Sequence, residues 1–212
     1  MRYTPILSFL AGLAVITMVS GATHDAVGAQ SAGPDISEGW QPLFDGKSLD
    51  GWFARDGPDT NWHVEDGLLT AGPETTRGYL VTTREFDDFQ LRVDFWLNAG
   101  ANSGVFLRVP AKEIPIDQRT AVEVNISDTH KTWPTGSINE IARVGVVPTS
   151  INAWNSYDIT AVGPHIVVKL NGVTTVDAQD PRHTRGPIGV QYCCSSGHVV
   201  KFRNIYIRTL PR

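Results

Sequence analysis

The sequence has little of the chemistry that metal and nucleotide sites need. Its 212 residues include only two cysteines, Cys193 and Cys194, and they are adjacent. It has no Cys-x-x-Cys or His-x-x-x-His spacing, so scattered Asp and Asn side chains could hold a structural Ca²⁺ only by folding together. It also lacks a Gly-x-Ser-x-Gly elbow and a glycine-rich phosphate loop. We therefore expect no metal centre and no cofactor.

Clusters of lysine or arginine are absent as well, and the formal net charge is −4. Proteins that bind nucleic acid neutralise backbone phosphates with clustered cations. A nucleic-acid partner is therefore not expected.

Only one long apolar run occurs, from Ile6 to Val19, and it is too short to span a bilayer. Arg2 precedes it, and the small residues at 27–29 suit a cleavage site. These features predict a secretory signal peptide over residues 1–29. The mature protein is then secreted or periplasmic, without a membrane anchor.

The remaining sequence has the composition of an all-β protein. Residues 30–39 are small and polar and predict a flexible leader, while residues 40–212 are long enough for one domain with a core. Six tryptophans, 20 glycines and 13 prolines, with period-two alternation, favour many short strands joined by tight turns. This pattern predicts a sandwich of two antiparallel sheets.

Local signals place several elements of this sandwich. Asn171-Gly172 lies between two alternating runs and predicts a hairpin turn. The apolar positions change phase near the C-terminus, which predicts a bulge at Arg203-Asn204. We assign three tryptophans to the core: Trp40, Trp52 and Trp62.

Most of the polar chemistry falls between Asn98 and Asp128. Alternation predicts that Val122, Val124 and Ile126 face the core, which turns Glu123 and Asn125 the opposite way. On the preceding strand it predicts that Arg108 shares the face of Phe106 and meets Glu123. Asp128 joins this surface only if a bulge or bend re-aims it. The alternative is a solvated sheet face with a surface ion pair.

Seven motifs along the chain together resemble the 3-keto-disaccharide hydrolase domain family, over residues 40–208. The resemblance implies a concanavalin- or laminarinase-like jelly roll and cleavage of glycosides that are already oxidised at C3. The motifs are Trp40-Gln-Pro-Leu-Phe-Asp-Gly-Lys-Ser-Leu-Asp-Gly-Trp52, Asn102-Ser-Gly-Val-Phe-Leu-Arg108, Glu123-Val-Asn-Ile-Ser-Asp128, Trp154-Asn-Ser-Tyr-Asp-Ile159, Leu170-Asn-Gly172, Gly186-Pro-Ile-Gly-Val-Gln191 and Phe202-Arg-Asn-Ile205.

Such a reaction needs a base for the C2 hydrogen, an acid for the leaving oxygen and a group that stabilises an enolate. We assign Glu123 as the base, Arg108 as the enolate stabiliser, and Asp128 or a histidine as the acid. The family has a histidine after its Gly-Leu-Gln motif where this chain has Tyr192-Cys193-Cys194, so His198 takes that place in our prediction. The predicted substrate-binding residues are Asn102, Ser103, Asn125, Trp133 and Gln191, with Trp96 and Trp154 as further candidates for stacking on a sugar.

Two alternatives remain on the same fold: a non-catalytic carbohydrate-binding module, which needs no base, and a structural surface domain without a polar cleft. In an exported protein the adjacent cysteines predict a Cys193–Cys194 disulfide, with two buried thiols or an intermolecular bridge as the other possibilities. The sequence leaves open which leaving group the enzyme accepts.

Overall fold

Thirteen β-strands and no α-helix form the described part of the protein. The structure is a computed structural model that describes residues 38–58, 61–72, 77–146, 149–193 and 197–211. The predicted signal peptide, residues 1–29, and most of the predicted leader lie outside these residues. No helix in the described ranges is long and apolar enough to cross a membrane. The strands are β1 (Gln41–Pro42), β2 (Trp52–Arg55), β3 (Trp62–Glu65), β4 (Leu68–Ala71), β5 (Gly78–Phe86), β6 (Phe89–Leu97), β7 (Ser103–Leu107), β8 (Val122–Ile126), β9 (Asn155–Val162), β10 (His165–Leu170), β11 (Val173–Gln179), β12 (Gly186–Tyr192) and β13 (Val200–Thr209).

These strands form two antiparallel sheets, as the sequence predicts. One has eight strands in the order β11-β10-β9-β6-β13-β4-β3, with β1 also paired to β13. The other has five strands in the order β2-β5-β12-β7-β8. Neighbours in space are mostly distant in sequence, so register between strands decides which side chains meet.

A large apolar core lies between the sheets, and strand β6 shows how alternation builds it. Leu91, Val93, Phe95 and Leu97 are fully buried in this core, whereas Arg92 lies on the outer face and is half-buried. Burying side chains of this size stabilises the fold by roughly 1.5–3 kcal/mol each before entropy losses. The alternating pattern is therefore the main determinant of the sandwich.

The predicted turn and bulge are both confirmed. Asn171 and Gly172 join β10 to β11 with φ values of 50° and 82°, as a type I′ turn requires. The register of β13 against β6 shifts between Arg203 and Tyr206, and Asn204 there has φ of 49°. The bulge returns Ile205 and Ile207 to the core.

The assignment of three tryptophans to the core is right for two of them. Trp52 and Trp62 are buried. Trp40 is half-buried, and the guanidinium carbons of Arg92 and Arg208 lie 5.9 and 5.2 Å from its ring centroid. Trp40 precedes the two-residue strand β1, so no strand directs its side chain inward.

Candidate functional site

The candidate site lies on the outer face of the five-stranded sheet. Val122 and Val124 of β8 are buried in the core, so Glu123 and Asn125 point to the other side. Glu123 is paired with Phe106 of β7, and Asn125 with Gly104. Strand β8 thus brings one carboxylate and one amide to the same surface, beside strand β7.

A pocket of about 170 Å³ opens at this surface. Four of the residues predicted from the sequence line it: Asn102, Glu123, Asn125 and Gln191. Five further lining residues were not predicted for the site: Arg77, Gln118, His130, Asn139 and Cys193. The pocket is smaller than drug-sized ligand sites, which are about 300–1,000 Å³, and suits a single sugar-sized ring.

Gly104 makes the space that the Glu123 carboxylate occupies. A Cβ atom at Gly104 would lie 2.9 Å from Glu123 Oε1 and 3.2 Å from the ring of Phe106. Both distances are shorter than ordinary van der Waals contact, so any larger residue would displace the carboxylate. Gly104 is therefore part of the site although it has no side chain.

Glu123 is 2% exposed, and this burial raises the pKa of its carboxyl to about 7. Asn139 Nδ2 donates a hydrogen bond to Glu123 Oε2 at 2.7 Å, and a hydrogen bond from Gln118 and the charge of Arg77 also offset part of the shift. A carboxylate in this setting exchanges a proton near neutral pH, which is what a general base must do.

Arg77 supplies the positive charge of the pocket. It directly precedes β5, and its guanidinium donates to the hydroxyl of Tyr79, which also accepts a hydrogen bond from Gln191 Nε2 at 3.3 Å. Tyr79 donates in turn to the carbonyl of Ile116 at 3.0 Å. Arg77 therefore takes the position near Glu123 that the sequence argument gave to Arg108.

His130 lies in the loop after β8 and lines the same pocket. The Trp133 N–H donates to His130 Nδ1 at 2.9 Å, so the proton of a neutral imidazole resides on Nε2. Asn125 Nδ2 donates to the carbonyl of Trp133. Trp133 thus contributes backbone contacts that hold this loop, and its ring does not line the pocket.

The structure places Arg108 away from the pocket, which corrects the expected meeting with Glu123. Its Nη1 donates to the carbonyls of Gly163 and His183 at 2.7 Å each, and its Nη2 donates to the carbonyl of Asp87 at 2.8 Å. The cause is a left-handed backbone, φ 55° at Arg108, just after β7 ends. Alternation fails there, and the buried guanidinium joins three loops and does not line the pocket.

Asp128, His198 and Ser103 also do not line the pocket. Asp128 accepts hydrogen bonds from the hydroxyl of Thr135 at 2.5 Å and from Ser150 Oγ and N at 2.6 and 2.7 Å, so it anchors a loop. The imidazole of His198 packs against Gly100, where a Cβ would lie 3.0 Å from Nε2. The Ser103 hydroxyl donates to the carbonyl of Gln191 at 2.6 Å and joins β7 to β12.

Trp96 and Trp154, the other stacking candidates, are remote from the pocket because they lie against the eight-stranded sheet. Lys201 Nζ is 5.9 Å from the ring centroid of Trp96, and the Arg203 guanidinium is 3.9 Å from that of Trp154. Both indoles thus pack on cations of strand β13.

Cys193 lines the pocket and is disulfide-bonded. Its predicted partner, Cys194, lies outside the described residues, so the pairing itself stays a prediction. In the described ranges no group of three or more His, Cys, Asp or Glu side chains could hold a metal ion.

A second compartment of about 300 Å³ adjoins the first across Arg77, which lines both. Tyr79, Asp56 and Asp117 line it together with the loop residues Pro115 and Ile116. Asp56 Oδ2 accepts a hydrogen bond from the Ile116 N–H at 3.1 Å, which fixes that loop. The site therefore has room on both sides of its arginine.

The residues that sequence reasoning missed come from loops and strand ends. His130 follows Glu123 by seven positions in a long irregular loop, a place where functional residues are common, and this signal could have identified it. Arg77 could be found only from pairing, because Tyr79 lies opposite Gln191 in the β5–β12 register. No local pattern identifies Asn139 or Gln118.

Comparison with known proteins identifies relatives in sequence and in fold. A 3-keto-disaccharide hydrolase of Bacteroides thetaiotaomicron is 30% identical in an alignment of 82 residues that covers 34% of this chain and 28% of that protein's length. A candidate glycosyl hydrolase from Parabacteroides distasonis has a similar solved structure, with a TM-score of 0.70, 23% identity, and coverage of 82% of this chain and 95% of that chain.

The β-glucanase of Bacillus licheniformis shares the jelly-roll fold, with a TM-score of 0.60 at 15% identity over 86% of this chain and all of that chain (100%). At these identities the two solved structures show the fold alone. The sequence model of one family matches residues 39–208, which is most of the chain. The protein therefore belongs to the 3-keto-α-glucoside-1,2-lyase-like domain family.

Proposed function

We propose that this protein cleaves the glycosidic bond of 3-keto-glycosides by elimination followed by hydration. The observation that carries the proposal is the buried Glu123, whose pKa is raised to about 7 at the wall of a sugar-sized pocket. The family and the name of the curated relative support a hydrolase or glycosyl-hydrolase-like activity. The chain spans only 28% of that relative's length, so its substrate is part of the proposal.

The chemistry follows from the ketone at C3. It acidifies the hydrogen on C2, and a base that removes this proton leaves an enolate whose negative charge resides on the C3 oxygen. The enolate electrons then form a C1–C2 double bond while the bond from C1 to the leaving oxygen breaks. The leaving oxygen takes up a proton. Water finally adds across the double bond and restores a hydroxyl at C1.

The pocket residues can be assigned to these steps. Glu123 accepts the C2 proton, and Arg77 and the amide of Asn139 or Gln191 provide hydrogen-bond donors for the enolate oxygen. His130, with its proton on Nε2, donates to the leaving oxygen. A conventional retaining glycosidase would need a second carboxylate about 5 Å from the first. Position 125 holds an amide instead.

The two compartments suit the two halves of the substrate. The smaller one, with Glu123, takes the oxidised ring, and the larger one, with Asp56 and Asp117, takes the leaving group. The bond to be broken then lies near Arg77, which lines both spaces.

The test is turnover of a 3-keto-glucoside by the parent protein and by Glu123→Gln, with release of the leaving group as the readout. Loss of a positioned base should lower turnover roughly 10²-fold or more. Glu113→Gln is the matched control, because it makes the same change at an exposed site. Turnover at the parent rate in Glu123→Gln would rule out Glu123 as the base.

A non-catalytic sugar-binding module is the second reading of the same pocket. Such a module has no need for a carboxyl that titrates near neutral pH, so the burial of Glu123 favours the enzyme. The module predicts that Glu123→Gln keeps its sugar affinity and that neither protein releases a leaving group.

We also propose that the protein is exported, as residues 1–29 predict. A disulfide at Cys193 is expected in an oxidising compartment and supports this view. Detection of the cleaved protein in the periplasm or medium after expression of the full chain is the test.

A further inference from the structure

A groove separate from the Glu123 pocket lies on the outer face of the eight-stranded sheet. Glu123 belongs to the other sheet. The volume of the groove is about 280 Å³. Strands β6, β9 and β10 form its floor, and Trp40 forms part of its wall. The polar residues that line it are Gln90, Arg92, Asp158, Thr160 and Lys169.

An ion pair at the floor of the groove offers both donors and acceptors. Arg92 and Asp158 are opposite each other in the β6–β9 register, and Arg92 Nε donates to Asp158 Oδ1 at 2.8 Å. Both side chains are about one third exposed, at 33% and 36%. Lys169 of β10 lies opposite Asp158 in the β9–β10 register and adds an ammonium donor.

Trp40 is held in place by two arginines. The guanidinium carbons of Arg92 and Arg208 lie 5.9 and 5.2 Å from the ring centroid. Arg208 Nε in turn donates to Gln90 Oε1 at 3.0 Å, so the wall and floor of the groove form one connected set of contacts. Because these side chains are already ordered, a ligand would meet a largely preorganised surface.

We propose that this groove binds a neutral sugar ring within a glycan chain, as a site separate from the Glu123 pocket. A sugar hydroxyl both donates and accepts hydrogen bonds, and the Arg92–Asp158 pair presents both functions side by side. The indole of Trp40 supplies apolar surface for the C–H groups of a ring. A polyanion is a poorer match, because the Asp158 carboxylate lies between Arg92 and Lys169 at the floor of the groove and would repel it.

The position of the groove suits a holding function. A chain retained there leaves the Glu123 pocket open, since that pocket lies on the opposite sheet. Binding at the groove should raise the local concentration of glycan around the protein without changing turnover of a small soluble substrate.

The experiment measures binding of cellohexaose, laminarihexaose and maltohexaose to the mature protein by titration calorimetry. We expect at least one to bind the parent, and Trp40→Ala to weaken that binding roughly tenfold or more. Thr160→Arg, which fills the groove from an outer-face position, should have the same effect and does not depend on how strand β1 tolerates the loss of Trp40. Trp96→Ala is the matched control on the same sheet face, and it should bind as the parent does.

The three variants Trp40→Ala, Thr160→Arg and Trp96→Ala should turn over a soluble 3-keto-disaccharide at the same rate as the parent. The proposal is overturned if none of the three hexaoses binds, if Trp96→Ala weakens binding as much as Trp40→Ala, or if Thr160→Arg binds like the parent. The proposal is also overturned if Glu123→Gln loses hexaose binding while the groove variants keep it, because the hexaose would then occupy the Glu123 pocket.

Discussion

Replacing Glu123 with glutamine should raise the stability of the protein and lower its activity. The carboxyl is 2% exposed and has a pKa raised from 4.5 to about 7 by burial, a difference of about 2.5 pH units. Each unit corresponds to about 1.4 kcal/mol, so ionising Glu123 in the folded state costs about 3 kcal/mol. Glutamine keeps the shape and the Asn139 contact but never ionises. The variant should therefore be more stable and almost inactive.

The size of this stability gain depends on pH in a defined window. In the unfolded chain the carboxyl ionises above about pH 4.5, and in the folded protein only above about pH 7. Between these values the folded state binds more protons than the unfolded state, so stability falls as pH rises. The stability gain of Glu123→Gln should grow between about pH 4.5 and 7 and level off above that.

Urea unfolding of both proteins at several pH values between 4.5 and 8.5 measures this difference. The parent's kcat/KM for a 3-keto-glucoside should rise over the upper part of the same range, with a midpoint near pH 7, because the ionised form is the base. A stability difference that does not change with pH would show that Glu123 has an ordinary pKa. The account of its role as a base would then fail.

Three further substitutions test the surroundings of this carboxylate. Gly104→Ala should lower turnover roughly tenfold or more by displacing Glu123, whereas Gly145→Ala, where a Cβ meets nothing within 4 Å, should match the parent in the same assay. Arg77→Gln should lower kcat and raise the pH at the midpoint of the pH–rate profile, because the charge of Arg77 lowers the pKa of Glu123. A midpoint equal to that of the parent would contradict this electrostatic contact. Arg108→Lys should lower the free energy of unfolding, measured in urea, by roughly 3 kcal/mol, because the buried contacts of Arg108 with three carbonyls are broken. The KM of this variant should equal that of the parent. A raised KM in a variant of unchanged stability would show that Arg108 contacts substrate.

Alternation and turn chemistry predict most of the fold because both are local. The side chains of Val122 and Val124 need only the period of a strand to identify the core face, and the same period turns Glu123 outward. Asn171-Gly172 fixes its hairpin through two residues that tolerate positive φ. These signals do not depend on which strands become neighbours.

Arg108 shows where a local rule fails. Its period-two position predicts the same face as Phe106, but one left-handed residue ends the strand and redirects the side chain. An arginine is rarely placed at positive φ, so no local pattern predicts this break. The buried contacts with three loop carbonyls compensate for the strained backbone, and those contacts exist only once distant loops come together.

Arg77, the positive charge of the pocket, could not be predicted either, because its position depends on strand pairing. Arg77 is 46 positions before Glu123 and directly precedes β5, which lies three places from β8 in the sheet, beyond β7 and β12. It reaches the pocket because Tyr79 is opposite Gln191, and because Tyr79 holds the guanidinium with its hydroxyl. The chemistry of 3-keto-glycoside cleavage calls for a group that stabilises the enolate oxygen but does not say which residue supplies it. Register places Arg77 in the pocket, which is why the reaction class could be proposed from motifs while this arginine could not.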